Sequence, residues 1–282
     1  MEGSGQVHHG NGLCRVVRLD RIPLPLFVMH MEEILRVEDL TKSFGGIVAL
    51  DGIDLSVRKG LMTILIGPNG SGKTTLVNCI TGFYQQDRGR VWFEDKEITG
   101  LAPYKVYGLG LVRTFQLPQP FQKLTVLENL LTAYGGNPGE SFMRAPFRRT
   151  WLGHEEKATD MAFKVLELLD LDHLWNSPAS NLSGGQMKLV EAGRAIMSGA
   201  KMILMDEPAA GINPKLAQEV FIHFKEMKEK MGVTFLIIEH RLELILKYVD
   251  YAFAMARGAI VSEGRPEKVL EDPMVVESYL GG

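Results

Sequence analysis

The sequence predicts an α/β fold in which a parallel sheet is covered by helices, with a small antiparallel sheet ahead of it and a helical lobe inserted into it. Three observations carry this. Met62–Ile66 is a continuous apolar run that ends on a glycine-rich loop. Met202–Asp206 and Val233–Glu239 are two more strand-length apolar segments. Between those two lies a helical pattern, Pro214–Met231. Strand, helix and strand in that order require parallel strands joined by a crossover.

The first thirty residues stand apart from the rest. Gly, His and Asn are scattered through Gly3–Gly12, three spaced arginines follow, and the apolar stretch Ile22–Met29 is interrupted by Pro23 and Pro25. That is a poor secretion signal. Residues 1–31 are expected to be a disordered extension, or a mis-assigned start with translation beginning at Met29 or Met31.

From Ile34 onward the pattern is regular. Ile34–Leu40 and Ile53–Val57 alternate apolar and polar residues around a Gly45-Gly46 turn, as half-buried antiparallel strands do. After the Met62–Ile66 strand a helix is predicted from Lys73 to Thr81. Arg90–Glu94 and Gly110–Phe115 are further strands. Helical spacing then dominates, in Leu124–Ala133, Glu155–Leu169 and Ser183–Met197, with Gly135–Arg149, rich in Gly, Pro and Arg, read as a loop. The helical insertion thus covers about residues 117–199. In the tail, Pro266 and Asp272-Pro273 are helix starts, since proline in a first turn forfeits no hydrogen bond, and about 265–282 reads as a helical cap.

Composition narrows the function. The 282 residues are 45% hydrophobic and 23% charged, ordinary for a globular chain, and the formal charge of −3 offers no basic excess for a phosphate-backbone partner, so nucleic acid is disfavoured. Cys14 and Cys79 match no disulfide framework and no zinc spacing, which fits a reducing compartment. No apolar run reaches the roughly 18–20 residues of a membrane-spanning helix, so a membrane role would act through a partner.

The chemistry is concentrated in a few short segments. Gly67, Pro68, Asn69, Gly70, Ser71, Gly72, Lys73 and Thr74 fit the phosphate-loop pattern G-x-x-x-x-G-K-[ST] in the strand, loop, helix setting that pattern needs. The glycines let backbone N–H groups approach phosphates, and the helix beyond presents its positive end. Lys73 is expected on the β- and γ-phosphates, the Thr74 hydroxyl on Mg2+, and Thr75 beside it as a helix-start donor. Asp206 and Glu207 put two carboxylates at the end of a buried strand. Asp206 is read as nearest the Mg2+, and Glu207 as the general base that polarises the attacking water. Gln116, closing a strand ahead of the helical lobe, is placed to touch Mg2+ or that water, and His240, closing another strand, to bond the γ-phosphate. Leu182-Ser-Gly-Gly-Gln186 opens a helix with Ser183 as N-cap. Its Gly184 and Gly185 leave N–H groups free for an anion, which would be a γ-phosphate held by a second subunit, since one nucleotide cannot easily meet both this helix end and the loop at Gly67–Thr74.

In this order these segments resemble the ATP-binding cassette family over Ile34–Gly264. The resemblance implies a P-loop NTPase (RecA-like) core and roles as follows: Walker A at Gly67–Thr74, the Q-loop at Gln116, the signature at Leu182–Gln186, Walker B at Ile203–Asp206, a catalytic Glu207 and a switch His240. It also implies an adenine-stacking aromatic, here Phe44, and a head-to-tail dimer holding two ATPs, with Ser183, Gly184, Gly185 and Gln186 reaching across. Within the family, Ile80-Thr-Gly-Phe83, Val112-Arg-Thr-Phe-Gln116, Leu124-Thr-Val-Leu-Glu-Asn129, Pro208–Pro214 and Ile237-Ile-Glu-His-Arg241 look like the ATP-binding subunits of branched-chain amino acid importers. That implies ATP and Mg2+ as ligands, two permease subunits, a second ATPase subunit that is a paralogue or a copy, an associated substrate-binding protein, and a place on the cytoplasmic face of the membrane. Asn213 stands where many members carry Asp in the segment that crosses the dimer. Other cargoes (urea or amides, exported lipids) and a soluble, non-transport cassette are the rival readings.

Overall fold

The computed structural model describes residues 31–114 and 118–280 of the chain. The expectations for residues 1–30 and for Gln116 therefore fall outside the described residues.

The described residues open with a hairpin, β1 (Glu33–Phe44) and β2 (Ile47–Arg58), turning at Gly45-Gly46 as expected. Both strands are longer than the alternation in the sequence suggests. Pairing slips between Val37 and Leu40 and again between Leu40 and Lys42, and Asp39 takes a left-handed φ of 50°; such bulges break the two-residue period that sequence reading depends on. β3 (Met62–Ile66) is buried throughout and leads through the glycine loop into α1 (Lys73–Ile80). Cys79 of this helix is a free, buried thiol; burial pushes it up to about 11, with Lys42 pulling it down and Asp87 pushing it up.

β4 (Arg88–Phe93) and the short β5 (Lys96–Glu97) complete a four-stranded antiparallel sheet in the order β2-β1-β4-β5. After α2 (Pro103–Gly108), β6 (Leu111–Thr114) joins the main sheet. The helical lobe follows with α3 (Val126–Leu131), α4 (Leu152–Leu168) and α5 (Gly184–Met197). Helix α3 starts two residues later than its apolar pattern, because Thr125 and Glu128 form a capping box there.

The chain then returns through β7 (Met202–Asp206), α6 (Pro214–Met231), β8 (Thr234–Ile238), α7 (Leu242–Ile245), β9 (Tyr251–Ala256) and β10 (Ala259–Gly264), and ends in α8 (Pro266–Glu271) and α9 (Pro273–Leu280). The main sheet has the order β10-β9-β3-β8-β7-β6; it is parallel from β9 to β6, with β10 antiparallel at the edge.

The two faces of that sheet divide the core. Ile64 and Ile66 of β3, Ile203 and Met205 of β7, and Phe235 and Ile237 of β8 join one apolar cluster with the helical lobe and α6. Leu65, Leu204, Leu236 and Ile238, each one residue out of phase, join the other with α1 and the antiparallel sheet. Burial on both faces is why these strands read as unbroken apolar runs. Parallel register aligns their carboxyl ends, with Leu65 opposite Ile238 and Ile238 opposite Asp206, so the residues just beyond β3, β7 and β8 share one edge.

Candidate functional site

At that edge the loop from Gly67 to Gly72 is shaped by what its glycines exclude. A Cβ on Gly67, at φ 149°, would run into the Met255 carbonyl oxygen, and one on Gly72, at φ 102°, into the Ala49 carbonyl oxygen; both obstacles are backbone and cannot turn aside. Gly70, at φ 78°, has nothing within 4 Å of its Cβ position. The loop is thus drawn close to β9 and β2 at two points and open at a third. Asn69 and Gly70 are exposed, Pro68 is half-buried, and Ser71 is buried. Ser71 is pinned on both sides, its N–H donating to Pro68 O at 3.2 Å and its carbonyl accepting from Gly258 N at 3.0 Å.

Inside the loop Lys73 Nζ donates to Gly67 O at 2.8 Å and Pro68 O at 2.9 Å, with Ser71 Oγ at 3.4 Å. Burial holds this ammonium below the usual lysine range, against the opposing pull of Glu207 and Asp206. Thr74 is exposed and Thr75 half-buried in the first turn of α1. No side chain caps that turn and no acidic residue lies in it, so its N–H groups and dipole are left to an anion.

The two carboxylates follow β7. Asp206 Oδ2 lies 3.4 Å from Arg113 Nη2, and Arg113, on β6, also donates to Asn78 of α1. Burial lowers the Arg113 guanidinium from its ordinary range while Asp206 raises it. Glu207 sits in the left-handed region at φ 48°, an uncommon conformation for a residue with a Cβ, and is held there by its N–H bonded to Ile238 O at 2.8 Å. Its Oε1 is 3.2 Å from His240 Nε2.

Between these residues stands one the sequence reading did not single out. Glu239 is 2% exposed; its Oε2 accepts from Ala209 N at 3.0 Å, and its Oε1 accepts from His240 N at 3.0 Å and Arg241 N at 3.1 Å. One buried carboxylate ties the turn after β7 to the turn after β8. Its signal in the sequence was a charge at the end of an otherwise apolar run. Two other residues were missed. Lys188 of α5 is buried with Nζ 3.5 Å from Glu207 O; burial lowers it, and Glu191, Glu239 and Glu207 raise it. Tyr279 of α9 is raised by burial and meets the Gly67 backbone through a hydrogen bond that lowers it, which brings the terminal helix to the start of the glycine loop.

The other predicted residues among those described stand on β1 and at the starts of α5 and α6. Ser183 and Gln186 form a reciprocal capping box at the start of α5, with Ser183 N donating to Gln186 Oε1 at 2.9 Å and Gln186 N donating to Ser183 Oγ at 3.3 Å. The glycines between them also serve packing, since a Cβ on Gly185 would come within 2.6 Å of Leu216 Cγ and one on Gly184 within 3.2 Å of Ile212 Cγ2. Phe44 ends β1, 43% exposed, with Tyr84 edge-on at 5.4 Å and Lys42 Nζ 5.2 Å from its ring centre. Asn213 is the N-cap of α6, its Oδ1 accepting from Leu216 N at 2.9 Å.

Comparison with known proteins shows the family. The family profile described as ABC transporter matches residues 50–210. A probable branched-chain amino acid transport ATP-binding protein of Methanocaldococcus jannaschii is 54% identical over 88% of this chain and 98% of its own length. A protein of the same description from Archaeoglobus fulgidus is 52% identical over 88% of this chain and 96% of its own length. Among solved structures, the ADP conformation of an ATP-binding cassette of an ABC transporter is 53% identical and superposes with a TM-score of 0.75 over 89% of this chain and 99% of that one. With a matching profile over more than half its length and relatives above half identity along nearly theirs, the chain belongs to the ABC transporter family, as one of its ATP-binding cassettes.

Proposed function

We propose that this chain is the ATP-hydrolysing subunit of an importer for branched-chain amino acids, working at the cytoplasmic face of the membrane with two permease subunits and a second cassette. The observation that carries the ATPase half is the meeting of Lys73, Asp206, Glu207 and His240 at one sheet edge. The cargo is supported by the names of the relatives at 54% and 52% identity. Among the described residues no helix is long and apolar enough to cross a membrane, so the permeases would be separate chains.

The loop fits a nucleotide's phosphates. A cradle that admits no Cβ at Gly67 or Gly72, a buried lysine within it and an uncapped helix start beyond it suit polyanion binding. Lys73 would exchange its bonds to Gly67 O and Pro68 O for phosphate oxygens, and Phe44 would stack on the adenine. Thr74 and Asp206 would supply oxygen donors of the kind Mg2+ takes, with Gln116 proposed as a further ligand. When bound, the ion would neutralise phosphate charge. Glu207 would take the proton of the attacking water, with His240 fixing the carboxylate's orientation and reaching the γ-phosphate. Ser183, Gly184, Gly185 and Gln186 would complete the site of a second cassette in a head-to-tail pair. Closing of the pair would be passed to permease loops through the segment about Leu117–Leu130. In this reading residues 32–282 form the ATPase domain, about 117–199 its helical subdomain and about 265–282 a cap.

The test is uptake of radiolabelled leucine by native cells lacking this chain. Loss of uptake, restored by the wild type and not by Glu207→Gln, supports the proposal. Undiminished uptake without the chain overturns the cargo, and mass spectrometry of detergent-solubilised complexes then shows which permeases it serves.

A further inference from the structure

Residues 135–151, between α3 and α4, form a closed loop with the wrong side chains outward for water. Its turns are fastened by backbone bonds, Ala145 N donating to Ser141 O at 2.8 Å, Phe147 N to Arg144 O at 2.9 Å and Thr150 N to Phe147 O at 2.8 Å. Side chains reinforce them: Thr150 Oγ1 donates to Phe147 O at 2.7 Å and Trp151 Nε1 to Ala145 O at 3.1 Å. The root is clamped where His154 Nε2 meets Gly135 O at 3.2 Å and its ring lies 4.9 Å from that of Tyr134. Yet Phe142, Met143 and Phe147 are 91%, 76% and 64% exposed. A loop that satisfies its backbone inward while displaying large apolar side chains marks an interaction site.

Charge selects the partner. Within residues 135–151 the three cations Arg144, Arg148 and Arg149 face one carboxylate, Glu140, and no Asp, a net charge of +2, with Glu155 and Glu156 following in α4. The three arginines are exposed, and among the described residues none pairs with a carboxylate. Apolar tips interleaved with an excess of cations match the boundary between headgroups and acyl chains of an anionic bilayer, which needs no shape complementarity from its guest.

We propose that this loop docks on an anionic lipid surface, with Phe142, Met143 and Phe147 entering the headgroup boundary and the three arginines meeting lipid phosphates. The contact would orient the helical lobe toward the membrane independently of any permease, and it does not depend on the cargo.

Flotation of the full chain with phosphatidylcholine vesicles, with or without about one-third phosphatidylglycerol, tests it. The wild type is expected to float with the anionic vesicles and not the neutral ones. The combined Arg144→Gln, Arg148→Gln and Arg149→Gln variant should partition roughly a hundredfold more weakly, and the combined Phe142→Ser, Met143→Ser and Phe147→Ser variant at least about tenfold more weakly. Both should keep wild-type ATP turnover in solution, which shows that they fold. Equal partitioning of wild type and arginine variant, or no preference for anionic vesicles, overturns the proposal. So does a wild type that ignores vesicles while the apolar variant alone fails to assemble with permeases, because the loop is then a protein contact. A wild type that floats without hydrolysing ATP would instead count against the catalytic reading.

Discussion

His240 Nε2 and Glu207 Oε1 lie 3.2 Å apart, joining the residues that follow two neighbouring parallel strands, β8 and β7. Glu207 reaches this position in a left-handed conformation, φ 48°, which relaxed loops seldom impose on a glutamate. The pair is therefore set by the strand ends, and each side chain can be removed without dismantling the other's backbone. Glu207→Gln keeps the shape and removes the proposed base, so steady-state phosphate release should fall by about a hundredfold or more, with ATP still bound. His240→Ala should lower turnover as well, through the lost partner of Glu207. Wild-type turnover in Glu207→Gln would remove the glutamate from the chemistry.

The glycine loop separates fold from binding. Gly67→Ala drives a methyl group into the Met255 carbonyl, so thermal unfolding should show a loss of several degrees together with lost nucleotide affinity. Gly70→Ala meets nothing within 4 Å and suffers only its positive φ of 78°, which costs about 1 kcal/mol, or about 2 °C in a chain of this size. Its methyl group nevertheless occupies the open part of the cradle, so nucleotide titration should show a large loss of affinity in a folded protein. Unchanged affinity would mean that phosphate does not lie there.

Lys73 gives the loop a pH signature. Burial sets its folded pKa below the ordinary lysine value of about 10.5, so below that value the unfolded chain binds the proton more readily. Its contribution to stability is present above about 10.5 and is lost as the pH falls through the folded value. The difference in Tm between wild type and Lys73→Met should accordingly move in favour of the wild type as the pH is raised from about 7 to about 10. A difference that does not change with pH would place the ammonium in a solvated setting.

Glu239 accepts three backbone N–H groups on two turns, and Glu239→Gln would turn an amide donor toward one of them. Loss of charge-assisted bonds at a buried site is expected to cost about 2–4 kcal/mol. Because those turns carry Glu207 and His240, kcat should fall with little change in KM, the pattern of misplaced catalytic groups rather than weakened binding. A variant with lowered Tm but unaltered kcat would assign Glu239 to stability alone.

Much of this was legible in the sequence where one physical signal dominated. Met62–Ile66, Met202–Asp206 and Pro214–Met231 match the structure end for end, the strands because burial on both faces leaves no polar interruption, the helix because Pro214 and Gly232 mark its ends. The β9–β10 hairpin was not read. Its alanines, Ala252, Ala254 and Ala256, carry little strand preference, and its two-residue turn has Arg257 at φ 48° ahead of Gly258 at φ 82°, where Asn or Asp would have given the usual hairpin signal. Lys73, Asp206, Glu207 and His240, which the fold brings to one sheet edge, could be singled out because the chemistry proposed for them dictates residue type and spacing. Glu239 escaped because its partners are backbone amides, which every sequence contains.

Asn213 shows how a family comparison and a local contact can point in different directions. By resemblance, Asn in place of Asp raises the question of a weakened contact across the dimer. In the folded chain its Oδ1 accepts from Leu216 N at 2.9 Å and caps α6, whose first turn holds no acidic residue. Aspartate caps a helix as well as asparagine and adds a favourable charge at the positive end of the dipole. Asn213→Asp should therefore leave Tm unchanged or slightly raised and ATP turnover unchanged, whereas Asn213→Ala should cost about 1 kcal/mol. The cap explains the residue if stability tracks the side-chain oxygen. If Asn213→Asp keeps its Tm but alters turnover, the side chain acts across the pair of cassettes, and the cap is secondary.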